Sequence, residues 1–220
     1  MRAMDEQDVG RAVAELLAVL GPHTAGPRWH TPAGTLEWTC RETAVHVAHD
    51  LLAYAGQLAG RPDTGYLPFD LTVPATATPA EVLQVVAACG GLLRSALTTA
   101  APGTLAWHHG PCDPAGFAAM GVAEVLLHTY DISRGLGLPW LPPAAPCAAV
   151  LARLFPGAPA GDPVQVLLWS TGRAALDGRP RLTSWSWQAA VGRTQDRTEG
   201  RAEGRAEGRT EGRTEGRHRP

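Results

Sequence analysis

Two short patterns place metal-binding side chains about one helical turn apart. Glu124 and His128 are four residues apart in the apolar segment GVAEVLLHTYD, and His46 and His49 are three apart in WTCRETAVHVAHDL. Side chains at these spacings project from the same face of an α-helix. Each pattern therefore offers two ligands to one point, provided that its segment is helical.

Two imidazoles and one carboxylate form a donor set that suits a divalent metal such as zinc, and three protein ligands leave one position for water or substrate. Antiparallel packing of the two segments would bring a histidine opposite the pair Glu124 and His128, as in the metal centres of helical bundles. The same spacing also suits a buried Glu–His hydrogen-bonded pair without metal. Spacing alone leaves both interpretations open.

The first two helices that must position these residues have clear start and stop signals. An apolar stripe predicts a first helix from about Asp8 to Leu20, which Gly21-Pro22 closes. Thr39 and Glu42 form a capping-box pattern that begins a second helix, and this helix should continue to about Ala59. The second helix carries His46 and His49, so its start fixes their place in the fold.

Two more long helices follow. Thr78 and Glu81 repeat the capping-box pattern around a proline and begin a third helix, in which Gly90-Gly91 marks an expected weak point. Asp113-Pro114 begins a fourth helix, which carries Glu124 and ends in the glycines of SRGLGLP. The metal-binding patterns thus fall on the second and fourth helices.

Shorter elements lie between and after these helices. LPFDLTVP and TLAWHH are candidate extended segments, CAAVLARLF and VQVLLWSTG are candidate short helices, and the alternation of Trp185 and Trp187 suggests that the last ordered stretch packs back on the body. Helices dominate this pattern. We therefore expect a mainly all-α fold, an up-and-down four-helix bundle with short C-terminal helical and extended additions.

Composition indicates one folded domain and a tail. The chain has 220 residues, of which 45% are hydrophobic, which suffices for one core, and we expect that domain to span residues 1–190. Residues 191–220 contain RTEG and RAEG repeats with a glycine in every unit and little apolar surface to bury, which predicts a disordered tail. The alternating glutamates and missing aromatics also disfavour an RNA-binding Arg/Gly segment.

Charge and targeting signals narrow the function classes. Without residues 193–220, which hold 8 Arg and 6 acidic groups, the body keeps 11 Arg and 15 acidic groups, a net charge of about −4 that does not suit nucleic acid. The N-terminus does not resemble a signal peptide, and no apolar stretch is expected to approach the ~20 residues that span a bilayer. A soluble cytoplasmic protein follows, and the absence of lysine and asparagine is typical of a GC-rich, for instance actinobacterial, genome.

The four cysteines show no metal-binding or disulfide pattern, and we interpret them as free thiols. Cys40 has the strongest case for reactivity, because it lies at a predicted helix N-terminus where the helix dipole favours a thiolate. A buried, inert thiol is the alternative there.

Two segments resemble a known family. The stretch from Trp38 to Asp50 resembles the W-x(7)-H-x-A segment, and the stretch from Glu124 to Asp131 the E-x(3)-H-T-[YW]-D segment, of the mycothiol-dependent maleylpyruvate isomerase branch of the DinB-like superfamily. With the helix between them, the resemblance covers roughly residues 8–140. It implies a divalent metal, most simply zinc, held by His46, Glu124 and His128, and mycothiol as the thiol co-substrate.

The resemblance leaves the roles of two neighbouring residues open. His49 falls one turn beyond the implied ligand His46, where it could line the pocket, bind water there, or replace His46 on the metal. Asp131 lies one turn after His128 and could orient an imidazole or instead pair with Arg134.

Weaker matches to the family are Trp107-His108-His109-Gly110 and LLWSTGRAAL. His108 and His109 fall in a predicted loop at the bundle mouth, where they are candidates for contacting the thiol or its substrate, or are simply solvated. Together with His49 they complete the set of expected co-substrate contacts.

The resulting hypothesis is a metal-dependent thiol S-transferase or cis–trans isomerase, in which a metal-bound thiolate attacks a small electrophilic substrate. The C-terminal part is shorter than the second domain of the named isomerase, so maleylpyruvate itself is not assumed. The alternatives are a metal- or small-ligand-binding bundle without turnover, and a purely structural bundle. Homodimerisation is possible in each case.

Overall fold

The structure, a computed structural model, describes residues 2–192 and is mainly helical, as predicted. The elements in this part of the chain are α1 Glu6–Leu20, α2 Cys40–Gly60, α3 Pro79–Thr99, β1 Ala106–Trp107, β2 Pro111–Cys112, α4 Pro114–Leu136, α5 Ala144–Leu154 and α6 Pro163–Ser170. Of the residues 191–220 for which disorder is predicted, 193–220 lie outside the described residues, whereas Val191 donates a backbone hydrogen bond to the carbonyl of Pro111 at 2.7 Å and so still belongs to the body.

The four long helices α1 to α4 form the bundle. In it α2 packs against α3 and α4, and α1 packs against the same two helices from the other side. Helix α4 is buried almost all round, with 18 of its 23 residues buried. Polar side chains on α4 must therefore find their partners inside the protein, and those that face α2 meet the side chains of that helix.

Side-chain caps fix where the helices begin, as the sequence predicts. Thr39 and Glu42 form a reciprocal capping box at the start of α2, and Thr78 and Glu81 do the same for α3. Helix α1 begins two residues earlier than expected, because Asp5 accepts hydrogen bonds from the first free backbone N–H groups. The local chemistry of the caps thus sets the register of the helices that carry the site.

The weak point expected at Gly90-Gly91 does not interrupt α3. A Cβ atom on Gly90 would lie 2.8 Å from Cγ2 of Val13, so the glycine is where α1 and α3 approach each other closely. A Cβ on Gly91, by contrast, would meet nothing within 4 Å. The two glycines therefore differ in role although they are neighbours in sequence.

Helix α3 corrects the expectation that no apolar stretch reaches membrane-spanning length. Within residues 2–192, Pro79–Thr99 is the one helix long and apolar enough to cross a bilayer by those two criteria. One face of it packs in the bundle core, and the other carries Glu81 and Arg94. This pattern also fits a core helix with one solvent-facing side.

The connection from α2 to α3, residues 61–78, contains no β-strand, so the candidate extended segment LPFDLTVP does not pair into a sheet. The side chain of Gln57, fully buried, holds this connection: Nε2 donates to the carbonyl of Gly65 and to that of Trp107, and Oε1 accepts from the N–H of Leu67. Phe69 packs directly over Gly56, where there is no Cβ. These contacts hold the connection against α2.

The remaining small elements agree with the sequence more closely. Part of TLAWHH forms β1, which pairs antiparallel with β2. The two short helices α5 and α6 pack on each other, and α5 packs on α4. Trp185 and Trp187 stack against Phe155, so the last described stretch returns to the body as expected.

Candidate metal centre

The structure brings His46, Glu124 and His128 together where α2 faces α4. Nε2 of His128 lies 3.1 Å from Oε2 of Glu124, and Nε2 of His46 lies 4.0 Å from the same oxygen. One ligand atom from each of the three residues lies within 4.8 Å of the other two. Two imidazole nitrogens and a carboxylate oxygen thus converge on one point, which is the donor chemistry of a divalent metal site.

The cluster is buried on its α4 side and opens towards solvent on its α2 side. The side chains of Glu124 and His128 are 11% and 9% exposed, whereas that of His46 is 29% exposed. The ring of Trp38 lies 4.7 Å from that of His46 and is itself partly exposed. A small molecule would therefore reach the cluster past His46.

Asp131 contacts the ring nitrogen of His128 that faces away from Glu124. Nδ1 of His128 lies 3.0 Å from Oδ2 of Asp131, and the opposite nitrogen, Nε2, points at Glu124. The same carboxylate accepts two hydrogen bonds from Nε of Arg173 and one from Nη2, at 2.6 to 3.1 Å. Of the two roles left open by the sequence, Asp131 therefore orients the imidazole, and its cation is Arg173 rather than Arg134.

These contacts shift the acid–base properties of the buried groups. Burial disfavours a charged His128, but its hydrogen bonds with Asp131 and Glu124 outweigh burial and raise its pKa above the usual range. Burial likewise opposes ionisation of Glu124, yet the hydrogen bond with His128 and the charges of both histidines lower its pKa. Without a metal these two residues form a buried ion pair, and a metal would displace the proton of His128.

Asp50 is a site residue that the sequence reasoning missed. Its Oδ2 lies 3.1 Å from Nε2 of His46, one turn earlier on α2, and its side chain is 16% exposed. Burial and the charge of Glu124 raise the pKa of Asp50, against the hydrogen bond and charge of His49 and the charge of His46. The H-x(3)-D spacing was visible in the sequence as a pair on one helix face, and it is the signal that would have found this residue.

His49 lies beside the cluster and does not face Glu124. Its Nδ1 lies 3.2 Å from Oδ1 of Asp50, and its Nε2 lies 3.0 Å from Oδ1 of Asp70 on the α2–α3 connection. With His46 and Asp50 it forms a second group of potential ligand atoms. The structure thus places His49 at the edge of the cluster, where it links α2 to the α2–α3 connection.

His108 is buried, so the interpretation of a solvated loop histidine is wrong for this residue. Nε1 of Trp187 donates to Nε2 of His108 at 3.3 Å, and Nδ1 makes a short hydrogen bond with the Tyr66 hydroxyl. Because an indole N–H can only donate, Nε2 is the bare nitrogen and Nδ1 carries the proton. Burial, helped by the charge of His109, lowers the pKa of His108 to about 4.

His109 and Tyr54 both lie next to His108. His109 adopts a left-handed backbone (φ 50°) with its ring 5.0 Å from that of Trp107. Tyr54 joins the two regions: its hydroxyl donates to Oε1 of Glu124 at 3.3 Å, and its ring lies 5.9 Å from that of His108. His108 therefore borders the cluster through Tyr54 rather than touching it, and His109 lies beside His108 and Trp107.

None of the cysteines forms part of the cluster. All four are free and buried, as the interpretation of inert thiols required. Burial raises the pKa of the Cys40 thiol even though it begins α2, and burial raises the pKa of Cys112 and Cys147 to about 12. A reactive thiolate at Cys40 is therefore disfavoured.

Comparison with known proteins adds a family to this geometry. The model of the family described as mycothiol maleylpyruvate isomerase N-terminal domain matches residues 8–133, which is more than half of the chain and includes all of the cluster. No curated protein and no solved structure matches the chain.

Proposed function

Since this chain belongs to the mycothiol maleylpyruvate isomerase N-terminal domain family, we propose that it is a divalent-metal-dependent enzyme that uses a low-molecular-weight thiol. The thiol is mycothiol or a close analogue, and the second substrate is a small electrophile. The reaction is S-transfer, or cis–trans isomerisation if the thiol adduct reverses after bond rotation. The partners are thus small molecules, and the site of action is the cytoplasm.

The observation that carries the proposal is the convergence of Nε2 of His46, Oε2 of Glu124 and Nε2 of His128. A purely structural Glu–His pair would need only Glu124 and His128, yet a second imidazole from another helix turns the same nitrogen towards the same oxygen. The most simply accommodated ion is zinc, which accepts two histidines and a carboxylate and keeps a position open.

A divalent ion bound here would lower the pKa of a thiol in its open position, so that the thiolate forms near neutral pH. The protein residues do the positioning. Asp131 keeps the proton of His128 on Nδ1 and so leaves Nε2 for the metal, while Tyr54 donates a hydrogen bond to the carboxylate oxygen that faces away from His128. Each ligand is thus held in one orientation.

The open side at His46 gives the thiol its route to the site. Trp38 on one side, with Asp70 and His49 on the other, borders this opening. The pair of neutral His108 and Tyr66 supplies polar groups close to Tyr54, where a small polar electrophile would bind. We propose that both substrates bind on the solvent-facing side of the cluster, because α4 closes the opposite side.

A second candidate is a metal- or small-ligand-binding protein without turnover. The same cluster would serve such a protein, because holding an ion requires only the side chains of His46, Glu124 and His128. It predicts the same metal content and no reaction of a thiol with an electrophile.

The test begins with elemental analysis of protein purified without a metal-binding affinity tag. We expect close to one zinc or other divalent ion per chain, and loss of that ion in His46→Ala and in Glu124→Ala. The exposed histidine His30 provides the matched control, since it belongs to neither group of potential ligand atoms and His30→Ala should therefore keep the metal. Wild-type protein that stays metal-free after reconstitution would contradict the proposal.

If the metal is present, mycothiol is incubated with a panel of small cis-unsaturated and other electrophilic acids, and both the conversion of the acid and the consumption of the thiol are followed. Turnover that disappears in His46→Ala supports the enzyme, whereas metal binding without turnover favours the binding protein. Isomerisation and S-transfer are separated by product analysis, because only transfer consumes the thiol.

A further inference from the structure

We propose that a cavity beside the ion pair of Arg173 and Asp131 binds a small oxyanion, that is, a carboxylate or a phosphate group. The cavity has a volume of about 160 Å³ and lies where the loop before α2 meets the last turns of α4 and the segment after α6. It is lined by Gly34, Thr35, Tyr130, Asp131, Arg134 and Arg173. The proposal goes beyond the proposed function and does not require a metal in the cluster.

The loop before α2 forms one side of this cavity, and its backbone is held in place. The N–H of Ala33 donates to the carbonyl of Trp38 at 2.9 Å, which folds the loop back on itself. Gly34 lies so close to α4 that a Cβ atom there would be 3.5 Å from Cβ of Arg134. Its φ of 58° is a left-handed conformation that glycine adopts without steric cost. The cavity therefore has a defined shape between the loop and α4.

The buried guanidinium of Arg173 has more donors than the surrounding protein accepts. Its side chain is 8% exposed, and a guanidinium carries five N–H groups. Nε and Nη2 donate to Asp131, and Nη1 donates to the carbonyl of Thr171. Among residues 2–192 this leaves one N–H group on each of the two terminal nitrogens without an acceptor. Because Arg173 lines the cavity, two oxygens of one bound anion can accept from these nitrogens, as in bidentate recognition of carboxylate and phosphate.

Arg134 brings a second cation to the cavity. It is exposed in the last turn of α4, and its guanidinium makes no hydrogen bond or ion pair with a described residue. An arginine near a helix C-terminus does not by itself indicate a ligand, because the helix dipole favours a cation there. Here, however, it lines the same cavity as the buried Arg173. Two guanidiniums against the single carboxylate of Asp131 leave a net positive charge, which favours an anion over a neutral ligand.

The size of the cavity sets the kind of group that it holds. A volume of about 160 Å³ corresponds to roughly five water molecules at about 30 Å³ each, which accommodates a phosphate or carboxylate group. Thr35 and Tyr130, which also line the cavity, carry hydroxyl groups that can donate to further oxygens. The site therefore fits a free small anion or the terminal oxyanion group of a larger metabolite.

The test uses the full chain in its metal-free form, prepared with the neutral chelator phenanthroline, because a bound metal ion would itself bind anions. Inorganic phosphate and acetate are titrated separately into isotope-labelled protein in chloride-free buffer, and NMR follows the backbone amide signals of Gly34 and Thr35. We expect saturable shifts of these signals with at least one of the two probes. The probe that binds more tightly identifies the class of oxyanion.

Two arginine variants test whether the bound anion uses both cations. Arg134→Gln should weaken binding of that probe about 10- to 100-fold, because the anion loses a charged hydrogen-bond donor. Arg173→Lys keeps a positive charge beside Asp131 but lacks the planar fork, and it should weaken binding by a similar factor. Arg181→Gln is the matched control, since Arg181 is exposed and does not line the cavity. Its affinity for the probe should equal that of the wild type.

His46→Ala separates this inference from the proposed metal site. The variant should bind the probe as the wild type does, since His46 does not line the cavity. Loss of binding in His46→Ala would place the anion in the metal cluster and overturn the proposal. Wild-type protein without saturable shifts at Gly34 and Thr35, or wild-type affinity in either arginine variant, would overturn it too. Anion binding that depends on both arginines would support this inference even if the proposed metal-dependent function fails.

Discussion

Nδ1 of His128 lies 3.0 Å from Oδ2 of Asp131, one turn later on the same helix. Asp131 is 2% exposed and receives a guanidinium from the other side, so its position is fixed independently of the imidazole. This relationship decides which nitrogen of His128 is available to a metal. It also ties the proposed site to the segment that follows α6.

The first prediction concerns this support. Asp131→Asn should lower zinc affinity about 10- to 100-fold, because the imidazole loses the charge that holds its proton on Nδ1. Competition with a chromophoric chelator measures the effect, and thermal unfolding of the same samples checks that the bundle is intact. Asp70→Asn, at an exposed carboxylate, is the comparison and should bind zinc as the wild type does.

The second prediction concerns Arg173. Its side chain is 8% exposed and pairs with Asp131, so Arg173→Met removes the guanidinium from a buried carboxylate and leaves it only His128 as a partner. Breaking such a pair costs about 3–5 kcal/mol of folding free energy. Urea unfolding should show a loss of this size, and the double variant with Asp131→Asn should lose less than the sum of the two single losses. Arg179→Met, at an exposed arginine, should change the free energy little; an equal loss there would contradict the role of the buried pair.

The third prediction concerns pH. Burial, with the charge of His109, lowers the pKa of His108 from 6.5 to about 4 in the folded protein, so below pH 6.5 the unfolded chain binds a proton that the folded chain does not. The stability due to neutral His108 is therefore complete above pH 6.5 and is lost as pH falls towards 4, by about 2 kcal/mol between pH 7 and pH 5. Urea unfolding of metal-free wild type and of His108→Gln at both pH values measures it. The variant should lose less stability over this range, and equal losses would assign the pH dependence to other groups.

The fourth prediction compares two helical glycines. A Cβ on Gly135 in α4 would lie 2.6 Å from the carbonyl oxygen of Pro32 and would also clash with Cys40, so backbone must move. Gly135→Ala should therefore destabilise the protein by about 1–3 kcal/mol. Gly91→Ala, where nothing lies within 4 Å, should be neutral or stabilising by up to about 1 kcal/mol. Chemical denaturation of both variants checks the contrast, and equal effects would show that the packing of α4 against the segment before α2 is looser than described.

The sequence by itself determined where α2, α3 and α4 begin, because capping is local chemistry. Thr39 and Glu42 lie three residues apart, and the hydrogen bonds that they make are decided by that spacing. The same local periodicity put Glu124 and His128 on one face of a helix, and it predicted the four long helices that form the bundle. The roles assigned through the family resemblance, zinc and mycothiol among them, stay predictions.

Only the tertiary structure decided which groups meet across helices. Arg173 reaches Asp131 from 42 residues away, and the side chain of the buried Gln57 holds the connection that carries Asp70, where the sequence suggested a short extended segment. Spacing fixes the face of a helix on which a histidine lies, but the side-chain torsions and the packing of α2 against α4 decide which nitrogen it turns to its neighbour. For that reason Asp50, one turn from His46 on α2, joins the site only in the folded structure, where its carboxylate lies 3.1 Å from the nitrogen of His46 that faces Glu124.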